Sequence, residues 1–565
     1  MEYSKLTAGF VDPYIPCNLF YSSSSTLQVS HTSMASNTFT KIVYLVCDEF
    51  LWFFTILTLS FISISFAARL FVSKKKSTTG EILRLPPGPR GLPLLGNLPF
   101  LKPDHLHSYF SDLAQIYGPI FKLKLGTKLC IVVSSPSLAK LILKDNDAIF
   151  ANHTPSIAAL VLSYGGNDMV WKQQGSDWRL MRKVFVREMM SNTSLNACSN
   201  LRRREVKQMV REVYTEIGKP IDIGQLIFVN LLNMMISMVW GGTLIGEERT
   251  NVGVEFRKLI SEMMCLVAKT NVSDTFPILS WFDLQGIERK GKELLSWLDG
   301  ILDSVISERL KIDGVKEKGV DFNDTENKDF LQILLELKQQ GDDKKSLKMI
   351  QVKALLLDIV LGGTDTSATT LEWALAEMMQ HPEVMRKAQE ELAQVFGTSN
   401  MVEESNLPNL PYLNAVVKET LRLHPPIPLL IPHCPSQSCT IGQYTIPQGT
   451  NVFLNVWKMH RDPEAWESPS EFLPERFLGD TNGYDFKGNN FNYLPFGSGR
   501  RICAGIPLVE KMSTYVLASL LHLFEWRLPE NAELDLSEKL RFLLKKTTPL
   551  LIIPTPRLSN VELYT

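Results

Sequence analysis

Hydrophobic positions fall along this chain in three regimes. The first is an unbroken apolar run, Phe50–Ala68, 19 residues without a charge. As a helix it would span roughly 28 Å, about the hydrocarbon thickness of a bilayer. Asp48 and Glu49 precede it, and Arg69 and Lys74, Lys75 and Lys76 follow. That basic flank predicts a cytosolic location for everything after residue 72. A cleaved signal peptide would carry its basic residues ahead of a shorter run, so the expectation is an uncleaved anchor in the endoplasmic reticulum membrane, single-pass. The second regime is helical periodicity from Phe100 to about Arg557, which predicts a mainly α body. Short strand-like runs at Ile120–Leu125, Cys130–Val133, Tyr444–Ile446, Asn451–Asn455 and Leu550–Ile553 predict a small β region. The third regime has no period. Residues 1–40 are rich in Ser and Thr and are expected to be disordered, with Met34 an alternative start. Asp313–Lys348 mixes charges of both signs and reads as a solvated loop.

Leu85–Pro93, LPPGPRGLP, is dense in proline and reads as a stiff, extended connector. The expected organisation is therefore a disordered lumenal extension over 1–49, an anchor over 50–72, a basic and proline-rich hinge over 73–99, the main domain over 100–557 and a C-terminal tail over 558–565. Composition narrows the class without naming the function. In 565 residues, 45% hydrophobic and 21% charged content describe a chain with a sizeable core. A net charge of −1 with no basic domain gives no sign of a nucleic-acid partner. The eight cysteines are scattered without CxxC pairs, so neither a disulfide framework nor a zinc site is indicated.

One of those cysteines has special company. Phe496-Gly497-Ser498-Gly499-Arg500-Arg501-Ile502-Cys503-Ala504-Gly505 surrounds it with glycines, an aromatic and two arginines. Such glycines let backbone approach a flat group closely. The stretch Ala504–Met512 predicts a helix whose N-terminal dipole and amides would keep a thiolate ionised. Pro507 suits its first turn. Phe496 can wall the sulfur from water, and Arg501 is a cation that can pair with a carboxylate. The string resembles the haem-ligating signature of the cytochrome P450 superfamily, Phe-x-x-Gly-x-Arg-x-Cys-x-Gly, at every fixed position.

That resemblance runs from about residue 83 to 557. It implies one α-rich domain with a small β region, haem b (iron protoporphyrin IX) ligated by Cys503, and a monooxygenase. Thiolate ligation favours cleavage of dioxygen. Electrons would come from NADPH through NADPH–cytochrome P450 reductase, with cytochrome b5 a further donor. Gln351–Gln380 predicts one long helix, and Gly362 and Gly363 in its interior cost roughly 2 kcal/mol relative to alanines. Thr366 can turn its hydroxyl back to the carbonyl of Gly362. The resemblance makes Thr366 and Asp365 the proton relay of an oxygen groove, Asp365 leading to solvent. It implies that Trp178, Arg182 and His433 meet haem propionates, and that Gly505 lies against the cofactor beside Phe496 and Arg501. It also implies a structural ion network of Glu419, Arg422 and Arg476. Arg179, Lys183 and Arg187 would form a basic patch for an acidic electron donor.

The segments that contact substrate in the family, here Ala158–Tyr164, Ala354–Leu361, Pro428–Ile431 and Leu540–Leu544, are apolar, which implies a hydrophobic small molecule free of clustered charge. Gly165–Trp171, Val360–Ser367 and Cys503–Pro507 are similar to plant microsomal members acting on terpenoids or phenolics. The first expectation is a sesqui- or monoterpenoid, and flavonoid ring hydroxylation is the alternative. A reductase-independent haem-thiolate isomerase or dehydratase, or a haem-binding sensor, would not need Thr366 and Asp365.

Overall fold

The computed structural model describes residues 52, 55–61, 63, 84–242, 246–316, 329–340, 347–479 and 483–565. The chain divides into two units, 1–80 and 81–565. In the first, residues 55–61 are helical and the side chains of Trp52, Ile56, Leu57, Leu59 and Phe61 are exposed. The rest of the Phe50–Ala68 run and the extension before it lie outside the described residues.

The second unit is built around the helix Met349–Gln380, 32 residues or about 48 Å long. Its start is fixed where the main-chain N–H of Lys348 donates to Gln351 Oε1 at 2.9 Å, and Pro382 stops it from running on. This central helix packs on Ile223–Trp240. Among the described residues Ile223–Trp240 is the one helix long and apolar enough to cross a membrane, yet it is a core helix, 83% buried in the protein. The two glycines of the central helix have different reasons. A Cβ on Gly363 would come 2.4 Å from Met235 Cε of Ile223–Trp240, whereas a Cβ on Gly362 would meet open space.

A five-stranded sheet runs in the order Ile120–Leu125, Lys128–Val133, Asn451–Leu454, His433–Cys434, Asn152–His153. The pair Lys128–Val133 and Asn451–Leu454 is parallel across more than half the chain. Antiparallel pairing sets His153 opposite His433. The late hairpin Glu538–Leu540 and Leu544–Lys546 returns the chain to the central helix, where Trp373 Nε1 donates to the carbonyl of Leu544 at 3.1 Å.

Three expectations change. The proline-rich segment is docked from Arg84 onward: the N–H of Lys122 donates to Pro87 O, and that of Thr445 to Arg84 O. Gly88 lies so close that a Cβ would stand 2.1 Å from Lys122 O. It is extended because of its prolines, but it is part of the globule. The charged stretch 313–348 contains the helix Phe330–Gln340, because Phe330, Leu331, Leu334 and Leu335 make one buried face. Residues 558–565 are no loose tail either. Leu558, Leu563 and Tyr564 are buried, and Tyr564 Oη donates to Leu523 O at 2.8 Å while its ring stacks on Tyr214.

Candidate active site

Cys503 sits at the mouth of the helix Ile506–Leu523, with Gly505 as its N-cap residue and Pro507 in the first turn. The main-chain N–H of Cys503 donates to Phe496 O at 3.0 Å, which folds the loop back on itself. Gly497 and Gly499 take φ of +73° and +69° there, a region that side chains other than glycine resist. The Gly505 N–H points at Cys503 Sγ, 3.4 Å away. The Cys503 side chain is exposed and lines a cavity. Burial pushes its pKa up, against the pull of the amides of Gly505 and Ile506 and of the Arg182 charge. The expected amides are therefore present, but they do not ionise the thiol unaided. A coordinated metal removes that proton outright.

The cavity has a volume of about 370 Å³ and is bounded on the opposite side by the central helix. Thr366 lines it and donates from Oγ1 to Gly362 O at 2.6 Å, the local back-bond expected of a hydroxyl at that spacing. Asp365 is buried and does not meet solvent itself. Its carboxylate oxygens accept from Lys545 Nζ at 2.7 and 2.8 Å, and Lys545 is one-third exposed. Lys545, a residue the sequence pattern did not single out, is thus the partially exposed partner of this carboxylate.

Cations gather on another wall. Arg182 Nη2 donates to Ile502 O at 2.6 Å. Arg501 donates to the carbonyls of Ala151 at 2.5 Å, Met169 at 2.9 Å and Lys172 at 2.6 Å. Burial, and then repulsion from Arg182, push the Arg501 pKa down to about 10. Among the described residues neither guanidinium forms an ion pair with a carboxylate. Trp178 is placed behind this wall: its Nε1 donates to Met169 O at 3.0 Å and its ring supports the Arg501 guanidinium at 4.4 Å. Its N–H is therefore engaged by the loop at Met169.

His433 lines the cavity with Nδ1 2.8 Å from Phe150 O. Burial, aided by the Arg501 charge, lowers its pKa to about 4 despite that hydrogen bond. His153 stands beside it, ring centroids 5.1 Å apart, with Nδ1 2.9 Å from Pro432 O. His153 escaped sequence reasoning because only strand register brings it to His433. Phe496 lines the same space, its ring edge-on to Phe486 at 5.0 Å.

The residues present fit haem. Two half-buried cations without carboxylate partners suit its propionates, the cavity opens between Cys503 and the central helix, and Gly497 and Gly499 of the cysteine loop have positive φ. Cys503 would hold the iron, and Arg182 and Arg501, with His433 and His153 beside them, would meet the carboxylates.

Away from the cavity, Glu419 accepts from Arg422 Nε at 2.7 Å and Nη2 at 2.8 Å, and from Arg476 Nε at 3.0 Å. Glu419 and Arg422 are fully buried, and the remaining Arg422 donors reach the carbonyls of His460, Pro469 and Glu471. Arg179, Lys183 and Arg187 are all exposed.

The expected substrate segments reach the cavity through Leu162, Tyr164, Leu357, Leu361, Ile431 and Leu543, and Met263, Met264 and Val267 join them from the helix Gly246–Ala268. The expectation of no clustered charge fails. Asp168 and Asp358 both line the space. Burial pushes Asp168 up to about 7, while burial and the Asp168 charge drive Asp358 well above the carboxylate range.

Residues 86–553 match the family described as Cytochrome P450. The chain is 40% identical to a flavonoid 3'-monooxygenase of Arabidopsis thaliana over 84% of its length and 92% of the relative's. It is 37% identical to a flavonoid 3',5'-hydroxylase of Solanum melongena, over 84% and 91%. It is also 37% identical to a probable (S)-N-methylcoclaurine 3'-hydroxylase of Coptis japonica, over 90% and 100%. A solved zebra fish cytochrome P450 with progesterone superposes with a TM-score of 0.68 at 25% identity, covering 80% of this chain and 99% of that one. Cysteine loop, oxygen-groove helix, fold and relatives agree: this chain belongs to the cytochrome P450 family and is a haem monooxygenase that draws electrons from NADPH through a reductase.

Proposed function

We propose that the chain hydroxylates an aromatic ring of a flavonoid. The observation that carries this reading is the set of relatives, which span nearly their whole length on this chain and are named for flavonoid 3' or 3',5' oxidation. The terpenoid expectation gives way to the alternative for that reason. A cavity with apolar walls and a carboxyl pair supports it, since a polyphenol presents flat apolar rings and hydroxyls at their edges.

Haem supplies the oxidising chemistry when bound. The protein's share is placement and proton supply. Thr366 offers a hydroxyl at the groove, and its neighbour Asp365 with Lys545 would form the polar path toward solvent. Glu419, Arg422 and Arg476 hold the scaffold and touch no reacting atom. The exposed cations Arg179, Lys183 and Arg187 suit an acidic reductase face.

The domain plan of the sequence supports attachment to the endoplasmic reticulum membrane by residues 50–72, with residues 1–49 lumenal. An exposed apolar surface on the globule supports membrane proximity: Ile278, Trp281, Phe282 and Leu284 are 87, 91, 69 and 62% exposed. The test is turnover of purified enzyme with reductase and NADPH on a 4'-hydroxyflavanone. A product carrying one added ring oxygen supports the reading. Turnover of monoterpenoids or sesquiterpenoids with none of flavonoids refutes it.

A further inference from the structure

We propose that Asp358 is the hydrogen-bonding anchor for a phenolic hydroxyl at the end of the substrate remote from the oxygen groove. Asp358 lies on the central helix eight residues before Thr366, which puts the two about 12 Å apart along the axis. Both line the cavity, so a molecule presenting one end at Thr366 extends along the helix toward Asp358. Elsewhere Leu162, Met263, Val267, Leu361, Phe542 and Leu543 make the walls apolar. A flat apolar body fits between, with its polar group at the carboxyl.

The carboxyl is only half used by the protein. Asp358 Oδ2 accepts from the Met169 N–H at 2.8 Å. Among the described residues no partner engages the other oxygen, although the side chain stands beside a second carboxyl, Asp168. Asp168 is occupied otherwise, accepting from the Trp171 N–H at 2.8 Å. The half-buried Asp358 side chain lines the cavity, where a ligand hydroxyl would give that oxygen a partner. Neighbouring charge and burial favour the neutral acid, which both donates and accepts, so a phenol is met without an ion being buried. A role confined to holding Met169 would use one oxygen and would be blind to the ligand.

This inference rests on the flavonoid reading. The test uses the full-length holoenzyme and spectral titration of the haem with two ligands. One is a 4'-hydroxyflavanone with two hydroxyls on its fused ring, and the other is its counterpart lacking those two. Wild type should bind the first more tightly. Asp358→Leu should weaken the first by about 10-fold or more and leave the second unchanged, since only the first loses a hydrogen bond to the carboxyl. Asp358→Asn, which keeps a donor and an acceptor, should recover most of the loss. If Asp358→Leu affects both ligands equally or neither, the anchor is refuted while the flavonoid reading stands. If wild type binds neither flavanone, both fall. A carbonyl-difference spectrum of each variant checks that the haem site is intact, and should Asp358→Leu fail to fold, the ratio of the two affinities in Asp358→Asn and Asp358→Ser decides in its place.

Discussion

Lys545 holds Asp365 by both carboxylate oxygens, at 2.7 and 2.8 Å, from a strand 180 residues further along the chain. The pair joins the oxygen-groove helix to the C-terminal hairpin and gives the buried carboxylate an exposed partner. Removing Lys545 leaves that carboxylate buried and without its partner, which cuts its link to the surface. Lys545→Met should therefore lower the yield of product per NADPH and raise hydrogen peroxide several-fold. Lys545→Arg should retain most coupling. Product and peroxide measured against NADPH consumed are the check.

Thr366→Ala removes the groove hydroxyl and its bond to Gly362 O while leaving a good helix former. Haem content and melting temperature should change little, whereas coupling to product should collapse. Equal coupling in the variant and wild type would refute the relay.

Glu419→Ala removes the one carboxylate shared by Arg422 and Arg476. Loss of a partner from a buried pair costs about 3–5 kcal/mol. The variant should express as aggregate or fail to retain haem, read as a missing carbonyl-difference band. Arg476, less buried, should tolerate substitution by Lys better than Arg422 does.

Glu538 gives stability a pH dependence. Burial opposes its charge, but the hydrogen bond with His107 at 2.9 Å and the His424 ring 3.6 Å away, with Arg461 nearby, hold its pKa well below the ordinary value. A depressed folded pKa contributes stability that is present above the unfolded value of about 4.3 and is lost as pH falls through and below it. Wild type should be more stable than Glu538→Gln at pH 7, and the gap should close progressively as pH drops below about 4. Chemical denaturation of both proteins across that range measures it.

Two glycine substitutions should part ways. At Gly363 the obstacle is the flexible end of Met235, so Gly363→Ala should be tolerated within about 1 kcal/mol, the helix gain offsetting the shift. At Gly499 φ is +69° and a Cβ would come 2.3 Å from the fixed carbonyl oxygen of Leu143. Gly499→Ala should destabilise by more than the roughly 1–2 kcal/mol of the backbone strain alone, and thermal melts monitored at the haem band should show it.

Local chemistry was legible in the chain itself. The surroundings of Cys503, the hydroxyl of Thr366 one turn past Gly362, and the shared face of Glu419 and Arg422 depend on neighbours within a few residues, and their spacing carries the geometry. The strand Ile120–Leu125 was readable from its run of apolar and polar positions, and the central helix from its length without a proline, although that helix is buried on nearly every side. Only the tertiary structure decided what distant segments do to one another. Strand register put His153 beside His433, a returning hairpin gave Asp365 its lysine, and the loop at Met169 turned Trp178 from the cavity toward Arg501. It also showed Asp168 and Asp358 as neighbours in an otherwise apolar space. Such contacts join positions as many as hundreds of residues apart. Their energy comes from burial and pairing in the folded core, and no local pattern of side chains records it.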